Sequence, residues 1–271
     1  MNLPVRILVT GGAGYLGSEV ARQAEQAGHE VLATRLDRAP PHGRPVSLDI
    51  RDENETARIF LKHGPDVVIH TAYRQADEEV WGAVVKGTHN VALAAHRADA
   101  RLIHLSSDLV FDGEREGRYT EDDEPRPVSL YGDAKLAAER LVRELHPEAL
   151  TVRTSLLYGT LGAQEALALR DDVEFYTDEI RTPARVDEVA AALLELAATD
   201  VAGVLHVAGR DALSRYELAR LLAAAHGRDP DTVRGAPSPP GRARNVALDS
   251  SRADGILRTR LRGPAEALHS L

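Results

Sequence analysis

Tyr131 and Lys135 stand four residues apart in the stretch Tyr131-Gly132-Asp133-Ala134-Lys135, a spacing that puts a phenol and an ammonium on one face of a helix. Beside a nicotinamide such a pair has a use. The ammonium lowers the phenol's pKa and can hydrogen-bond the nicotinamide ribose, so the phenol can exchange a proton with a carbonyl or alcohol oxygen while hydride moves. With seven tyrosines and lysine only at positions 62, 86 and 135, chance supplies ~0.08 such pairs in a chain of this length. The competing reading is a solvated Tyr/Lys helix pair. Ser107 closes the run Leu102-Ile103-His104-Leu105-Ser106-Ser107-Asp108, which reads as a strand delivering a hydroxyl that can donate to the same oxygen. Ser107, Tyr131 and Lys135 are therefore the candidate catalytic residues.

A hydride carrier needs a cradle, and the first residues offer one. The apolar run Val5-Arg6-Ile7-Leu8-Val9 opens into Thr10-Gly11-Gly12-Ala13-Gly14-Tyr15-Leu16-Gly17. Gly11 suits the tight turn, Gly14 lets a pyrophosphate approach the backbone, and Gly17 lets the helix beginning near Tyr15 and Leu16 pack closely. The helix N-terminus adds N–H groups and a partial positive charge for phosphates. A glycine triplet alone is a weak signal. Here the context supports it, because an amphipathic helix (Val20, Ala21, Ala24, Ala27) and a second strand from Gly28 to Ala33 complete a βαβ unit.

At the end of that second strand stands Thr34-Arg35-Leu36-Asp37-Arg38. Arg35 is nearer the strand than Asp37, so the reading is NADP(H) preferred, through the 2′-phosphate, with NAD(H) still admitted. Asp49 and Ile50 follow a short strand at Val46 to Leu48 and suit an adenine edge. Pro65 to Ala72 reads as a buried strand ending in small residues, so Thr71, Ala72 and Tyr73 are expected to border the cofactor. His70 reads as a core histidine, having no carboxylate or nucleophile beside it in the sequence.

The remaining pattern alternates helices and strands. Helices are expected over Glu53 to His63, Asp77 to Arg97 (with Trp81, Val84, Val85, Val91 and Leu93 inward), from Ser129 onward, over Gly162 to Leu169, Val186 to Ala198 and Ser214 to His226, and in a tail over 250–271. Strands are expected at Arg101 to Leu105, Ala149 to Arg153, Val173 to Tyr176 and Val204 to Val207. Residues 108–128 read as a polar surface excursion or the rim of a site, and 235–241 as a linker-like loop. The fold class is α/β, a Rossmann doubly wound parallel sheet over 1–157 with a smaller C-terminal substrate lobe over 158–271, some of whose segments return to the sheet.

Composition narrows the function classes. The chain has 271 residues, 43% apolar, no cysteine and a formal charge of −9. Thiol catalysis, disulfides and zinc-thiolate sites are excluded, and no metal site is indicated. An acidic chain is a poor partner for nucleic acid. No apolar run approaches the ~20 residues of a membrane span, and no signal pattern is present, so the expectation is a soluble cytoplasmic protein. A homo-oligomer is left open.

Taken together, Thr10-Gly11-x-x-Gly14-x-x-Gly17, Ser107 and Tyr131-x-x-x-Lys135 resemble the extended short-chain dehydrogenase/reductases. Within them, Leu105-Ser106-Ser107-Asp108-Leu109-Val110-Phe111-Asp112-Gly113, Tyr119-x-Glu121-Asp122, Pro127-x-x-x-Tyr131-Gly132, Arg153 to Gly159, Arg181-Thr182-Pro183 and Asn245 to Asp249 are similar to the dTDP-4-dehydrorhamnose reductase branch. The resemblance covers nearly the whole chain. It implies a Rossmann domain, a lobe that receives a nucleotide-sugar, and reduction of a 4-keto group by NADPH or NADH.

Two departures stand out. Where extended members carry Asn in Asn-x-x-Gly-Thr, supporting a water in the proton relay, this chain has Val84-Val85-Lys86-Gly87-Thr88. The stretch from Tyr158 to Pro183, in the sugar-contacting region, is shorter than the branch pattern. Substrate contacts are expected from Ser107, Asp108, Arg181 and the group Arg242, Arg244 and Asn245, since arginine forks suit a pyrophosphate. The rival class is a cofactor-binding regulatory protein resembling the methionine adenosyltransferase regulatory subunit, favoured by Val84 and the shortened lobe. An epimerase or dehydratase reading lacks support, because this sequence shows no additional acid/base pair near Ser107.

Overall fold

Strand sequences such as Ile7-Leu8-Val9 and Val67-Val68-Ile69 have no polar face, so both of their sides must be covered. The computed structural model, which describes residues 4–73, 80–159 and 162–269, meets that demand with a parallel sheet and flanking helices. In chain order the first elements are β1 (Arg6–Thr10), α1 (Tyr15–Gln26), β2 (Glu30–Arg35), β3 (Arg44–Ser47), α2 (Glu53–His63) and β4 (Val67–His70). There follow α3 (Gly87–Arg97), β5 (Arg101–Ser107), α4 (Leu130–Leu145), β6 (Leu150–Thr154), β7 (Leu157–Tyr158), α5 (Ala163–Ala168), β8 (Glu174–Tyr176), β9 (Ile180–Arg181) and β10 (Ala184–Arg185). The chain then runs through α6 (Val186–Ala197), β11 (Gly203–His206), β12 (Leu213–Ser214), α7 (Arg215–Ala225), β13 (Arg234–Ala236), α8 (Ser251–Asp254) and α9 (Pro264–Leu268).

Seven strands make one sheet in the order β11-β6-β5-β4-β1-β2-β3. The pairs β1 with β2, β1 with β4, β2 with β3 and β4 with β5 are parallel. The chain moves outward from β1 to β3 and then returns to β4 on the other side of β1. That reversal opens the crevice where open α/β sheets bind ligands. Leu8, Leu32, Val68 and Leu102 are buried with Phe60 of α2 and Val91 and Ala95 of α3, forming the packing that holds the strand ends in place.

The chain divides into two compact units that are interleaved. One comprises Met1–Ser106, Asp133–Val152 and Ala190–Val204; the other comprises Ser107–Gly132, Arg153–Val189 and Leu205–Leu271. A single cut near residue 157 does not describe this division. The second unit has its own core, in which Tyr158, Phe175, Leu218, Leu222 and Val233 are buried together. Its short ladders are β7 with β10, β8 with β13 and the antiparallel pair β9 with β12. Ser214 starts α7 with a capping box, its Oγ accepting from the Glu217 amide at 3.0 Å while Glu217 Oε2 accepts from the Ser214 amide at 2.7 Å.

Three expectations change. The helix expected from Asp77 begins outside the described residues, and its described part has a π-helical turn over Trp81–Lys86 before α3. A turn closed by i→i+5 hydrogen bonds winds in more residues than an α-turn, so a 3.6-residue period misplaces the face, and Trp81 is exposed rather than inward. Among the described residues of the tail expected over 250–271, the helices are the two short ones α8 and α9. The linker-like loop contributes a strand residue pair, Gly235 and Ala236, which register with Phe175 and Tyr176.

The acidic excursion is also packed. Phe111 stacks on Tyr119 with ring centroids 4.1 Å apart, the Tyr119 hydroxyl donates to Asp112 at 2.5 Å, and Glu121 accepts from the His206 amide at 2.9 Å.

Candidate functional site

The glycine turn after β1 has the geometry its sequence demands. Gly11 sits at φ +70°, a conformation that L side chains avoid, and a Cβ there would lie 2.8 Å from the Ala72 backbone. A Cβ on Gly17 would overlap the Gly11 carbonyl and come within 2.7 Å of Thr71 Oγ1. Gly14 caps α1 in extended conformation without a side-chain bond, and no carboxylate occupies the helix's first turn. An anion meeting this helix end therefore has no acidic competitor in the first turn.

A cavity of about 410 Å³ opens beside this turn in the first unit. Gly11 and Gly14 border it from the turn, Thr71, Ala72 and Tyr73 from the end of β4, and Asp49 and Ile50 from the segment after β3. Arg35 borders it at the end of β2, with Asp37 and Arg38 close behind. Tyr15, Leu16 and Gly17 instead form the first turn of α1, where Leu16 and Gly17 are buried. Reading in sequence order missed Ala13, Thr34, Arg38, Arg51 and Ala83, which also line the cavity. Arg38 donates to the Ala13 carbonyl, and Arg51 grips Asp49 through two nitrogens, at 2.9 and 2.7 Å. Asp49 thus spends much of its carboxylate on Arg51, and the basic groups near the end of β2 are Arg35 and Arg38.

Tyr131 lies in the first turn of α4 and Lys135 one turn later. Lys135 is buried, its Nζ donating to the Leu105 carbonyl at 2.8 Å and lying 5.6 Å from the Tyr73 ring centroid. Burial draws its pKa down to about 8, partly opposed by the Glu139 carboxylate. His70 bridges Thr10 Oγ1 at 2.6 Å and Thr88 Oγ1 at 3.0 Å, and burial holds it neutral with a pKa lowered to about 3. It is a core histidine. Val84, in the place of the branch asparagine, is buried with Val80, Ala134 and Ala138 in an apolar cluster that offers no hydrogen bond.

In the second unit Ser107 is half-buried, its Oγ donating to Asp108 at 3.1 Å and accepting from the Leu109 amide at 3.2 Å. Asp108 is buried and turned inward, accepting from Ser155 Oγ at 2.6 Å and lying 3.7 Å from Arg181. Arg181 is buried as well, its guanidinium facing Asp108 and, at 3.5 Å, Glu179. These two expected substrate residues therefore meet each other, because a guanidinium this deep must be balanced by a carboxylate. Glu179, which the sequence did not single out, is fully buried and also faces Arg215 at 3.7 Å and Arg242 Nε. Arg242 keeps 42% of its side chain exposed and covers the Tyr176 ring at 5.0 Å. Asn245 ties down a loop, donating to the carbonyls of Arg115 and Gly117 at 3.0 and 2.8 Å.

Residues 5–270 match the family model described as the RmlD substrate binding domain. The chain belongs to that family. Its relatives include the probable low-salt glycan biosynthesis reductase Agl14 of Haloferax volcanii, 34% identical over 274 residues that cover 92% of this chain and 91% of that protein. The dTDP-4-dehydrorhamnose reductase of Mycolicibacterium smegmatis is 34% identical over 283 residues, 97% of this chain and 84% of that one. Among solved structures, the dTDP-4-dehydrorhamnose reductase of Bacillus anthracis in complex with NADP superposes with a TM-score of 0.84 over 99% of this chain and 98% of that one, at 24% identity. As a family member the chain has the extended short-chain dehydrogenase/reductase fold that its motifs resemble, and it is an NAD(P)-dependent oxidoreductase.

Proposed function

We propose that this chain is an NADP(H)-preferring reductase of a nucleotide-linked 4-ketosugar. The observation that carries the reading is Lys135, a buried ammonium one helical turn from Tyr131 whose pKa is drawn to about 8. A lysine placed only for solubility would not be held there against its desolvation cost. The residues of the turn fit a dinucleotide, since Gly11 and Gly14 leave the backbone open and Arg35 and Arg38 supply cations for a 2′-phosphate. A bound NADPH would supply the hydride.

The protein's own residues supply the rest. Tyr131 gives its phenolic proton to the carbonyl oxygen as that oxygen gains charge, Ser107 donates a hydrogen bond to the same oxygen, and the Lys135 ammonium stabilises the phenolate left behind. Asp108 and Arg181 support this region from within, and the exposed Arg242 is the cation best placed to meet a substrate phosphate. A soluble, cytoplasmic setting suits such a small-molecule enzyme; among the described residues no helix is long and apolar enough to cross a membrane.

The test is turnover by wild type and Tyr131→Phe with NADPH and a dTDP-linked 4-ketosugar. Loss of the acid is expected to cost ~10²- to 10⁴-fold in kcat while NADPH binding stays near normal. A Phe variant with wild-type rates removes Tyr131 from the mechanism. Calorimetry of the NADP-loaded protein with dTDP, UDP and GDP tests the substrate class, and binding no tighter than roughly millimolar, about −4 kcal/mol, for all three would overturn the nucleotide-sugar reading in favour of a smaller carbonyl substrate.

A further inference from the structure

β5 and α4 are joined at two successive residues. The Leu105 carbonyl accepts from Lys135 Nζ at 2.8 Å, and the next residue, Ser106, donates its hydroxyl to Glu139 Oε1 at 2.5 Å. Residues 105 and 106 lead directly into Ser107; Lys135 and Glu139 stand one and two turns after Tyr131. Ser106 and Glu139 are both buried, at 5% and 6% exposure. A buried carboxylate is costly unless it is hydrogen-bonded and faces a cation.

The surroundings of Lys135 supply the reason to keep it. On α4 Tyr131 and Glu139 stand one turn before and one turn after Lys135, which is also faced by His70 from β4, by His104 from β5 and by the Tyr73 ring after β4. Both histidines are buried and held neutral, so neither contributes a negative charge. Ala134, the neighbour of Lys135 in sequence, and Ala138 belong to the apolar Val84 cluster. Burial lowers the Lys135 pKa to about 8, and the Glu139 carboxylate is the group that opposes the fall.

We infer that Glu139 is a positioning residue of the reductase site: its carboxylate keeps Lys135 an ammonium and, through Ser106, ties the strand end carrying Ser107 to the helix carrying Tyr131. The inference rests on the reading of Tyr131 as the acid. It gives the strand and helix a fixed register that neither a surface glutamate nor the Val84 position could provide. The same negative charge raises the pKa of a cation near it, so its removal moves Lys135 toward losing its proton at lower pH.

A chain with three lysines suits lysine-selective ¹³C labelling, with Lys135→Arg assigning the resonance. In Glu139→Gln, which keeps the shape and an acceptor for Ser106, Lys135 is expected to titrate roughly one pH unit below wild type. The alkaline limb of kcat for ketosugar reduction is expected to move the same way. In Glu139→Asp the charge remains and the reach to Ser106 is lost, so the limb stays at its wild-type pH while kcat falls severalfold. An unchanged Lys135 titration in the Gln variant overturns the inference, with or without measurable turnover. Should the Gln variant not fold, an Asp variant whose limb has dropped overturns it equally. Wild-type rates in Tyr131→Phe would instead remove the acid assignment while leaving the Lys135 titration to decide the link to Glu139.

Discussion

Arg35 occupies the last position of β2 and borders the cavity, with Arg38 three residues on. Arg38 already donates to the Ala13 carbonyl, which ties it to the glycine turn. Arg35 is thus the cation whose side chain is more at liberty to turn toward a 2′-phosphate, while Asp37 offers a carboxylate nearby for a 2′-hydroxyl. Removing a charge-assisted contact costs about 1.5–3 kcal/mol, so Arg35→Ala is expected to weaken NADP binding by roughly ten- to hundredfold. NAD affinity should hardly change. Titration of both cofactors into both proteins checks this, and equal NADP affinity in the two would exclude Arg35 as the selector.

Among the elements, the βα turn has little tolerance for change. The contact between Gly17 and the Gly11 carbonyl brings α1 against β1 more closely than any side chain allows, and Thr71 Oγ1 donates to the Thr10 carbonyl at 2.7 Å just beyond it. Gly17→Ala must therefore push the start of α1 away from the sheet. Helix propensity favours alanine by about 1 kcal/mol, whereas overpacking costs about 1–3 kcal/mol, so the net expectation is a modest loss of stability. Loss of cofactor affinity should be larger, because the amides at the helix N-terminus move with the helix. Urea unfolding together with NADP titration separates the two effects, and an alanine variant that binds NADP as tightly as wild type would show that the turn can relax.

For the molecule as a whole, the buried histidines set how it answers to acid. Burial lowers the His70 pKa to about 3 and, with Arg153 adding to it, the His206 pKa to about 4; His104 also falls well below its ordinary value. Below pH 6.5 the unfolded chain takes up protons at these positions and the folded chain does not, so stability must fall as pH drops from about 6.5 toward 4. Each such proton contributes about 1.4 kcal/mol per pH unit at most. Denaturant midpoints measured between pH 7 and 4.5 should decline steadily through this window, before the carboxylates titrate. A flat profile there would mean that the histidines become protonated within the folded protein.

How much of this was legible beforehand follows from the range of each interaction. The glycine spacing, the Tyr131/Lys135 pair and the helix over Glu53–His63, with Asp52 capping its start and Gly64 its end, are encoded within a few residues. Local sterics and helical period suffice to read them. The π-helical turn at Trp81–Lys86 escaped because its period is not the one a helix pattern assumes. The fate of charged side chains escaped for a different reason. Asp108 and Arg181, Glu179 and Arg242, and Ser106 and Glu139 come from positions 73, 63 and 33 residues apart, and which carboxylate balances which guanidinium depends on depth in the folded chain. The sequence by itself determined a dinucleotide turn, a doubly wound sheet and a tyrosine-lysine pair, because periodicity and backbone freedom are local. Only the tertiary structure decided that Lys135 is desolvated, that Arg181 is turned inward, and that Glu139 stands behind the lysine, because burial is a property of the whole packed chain.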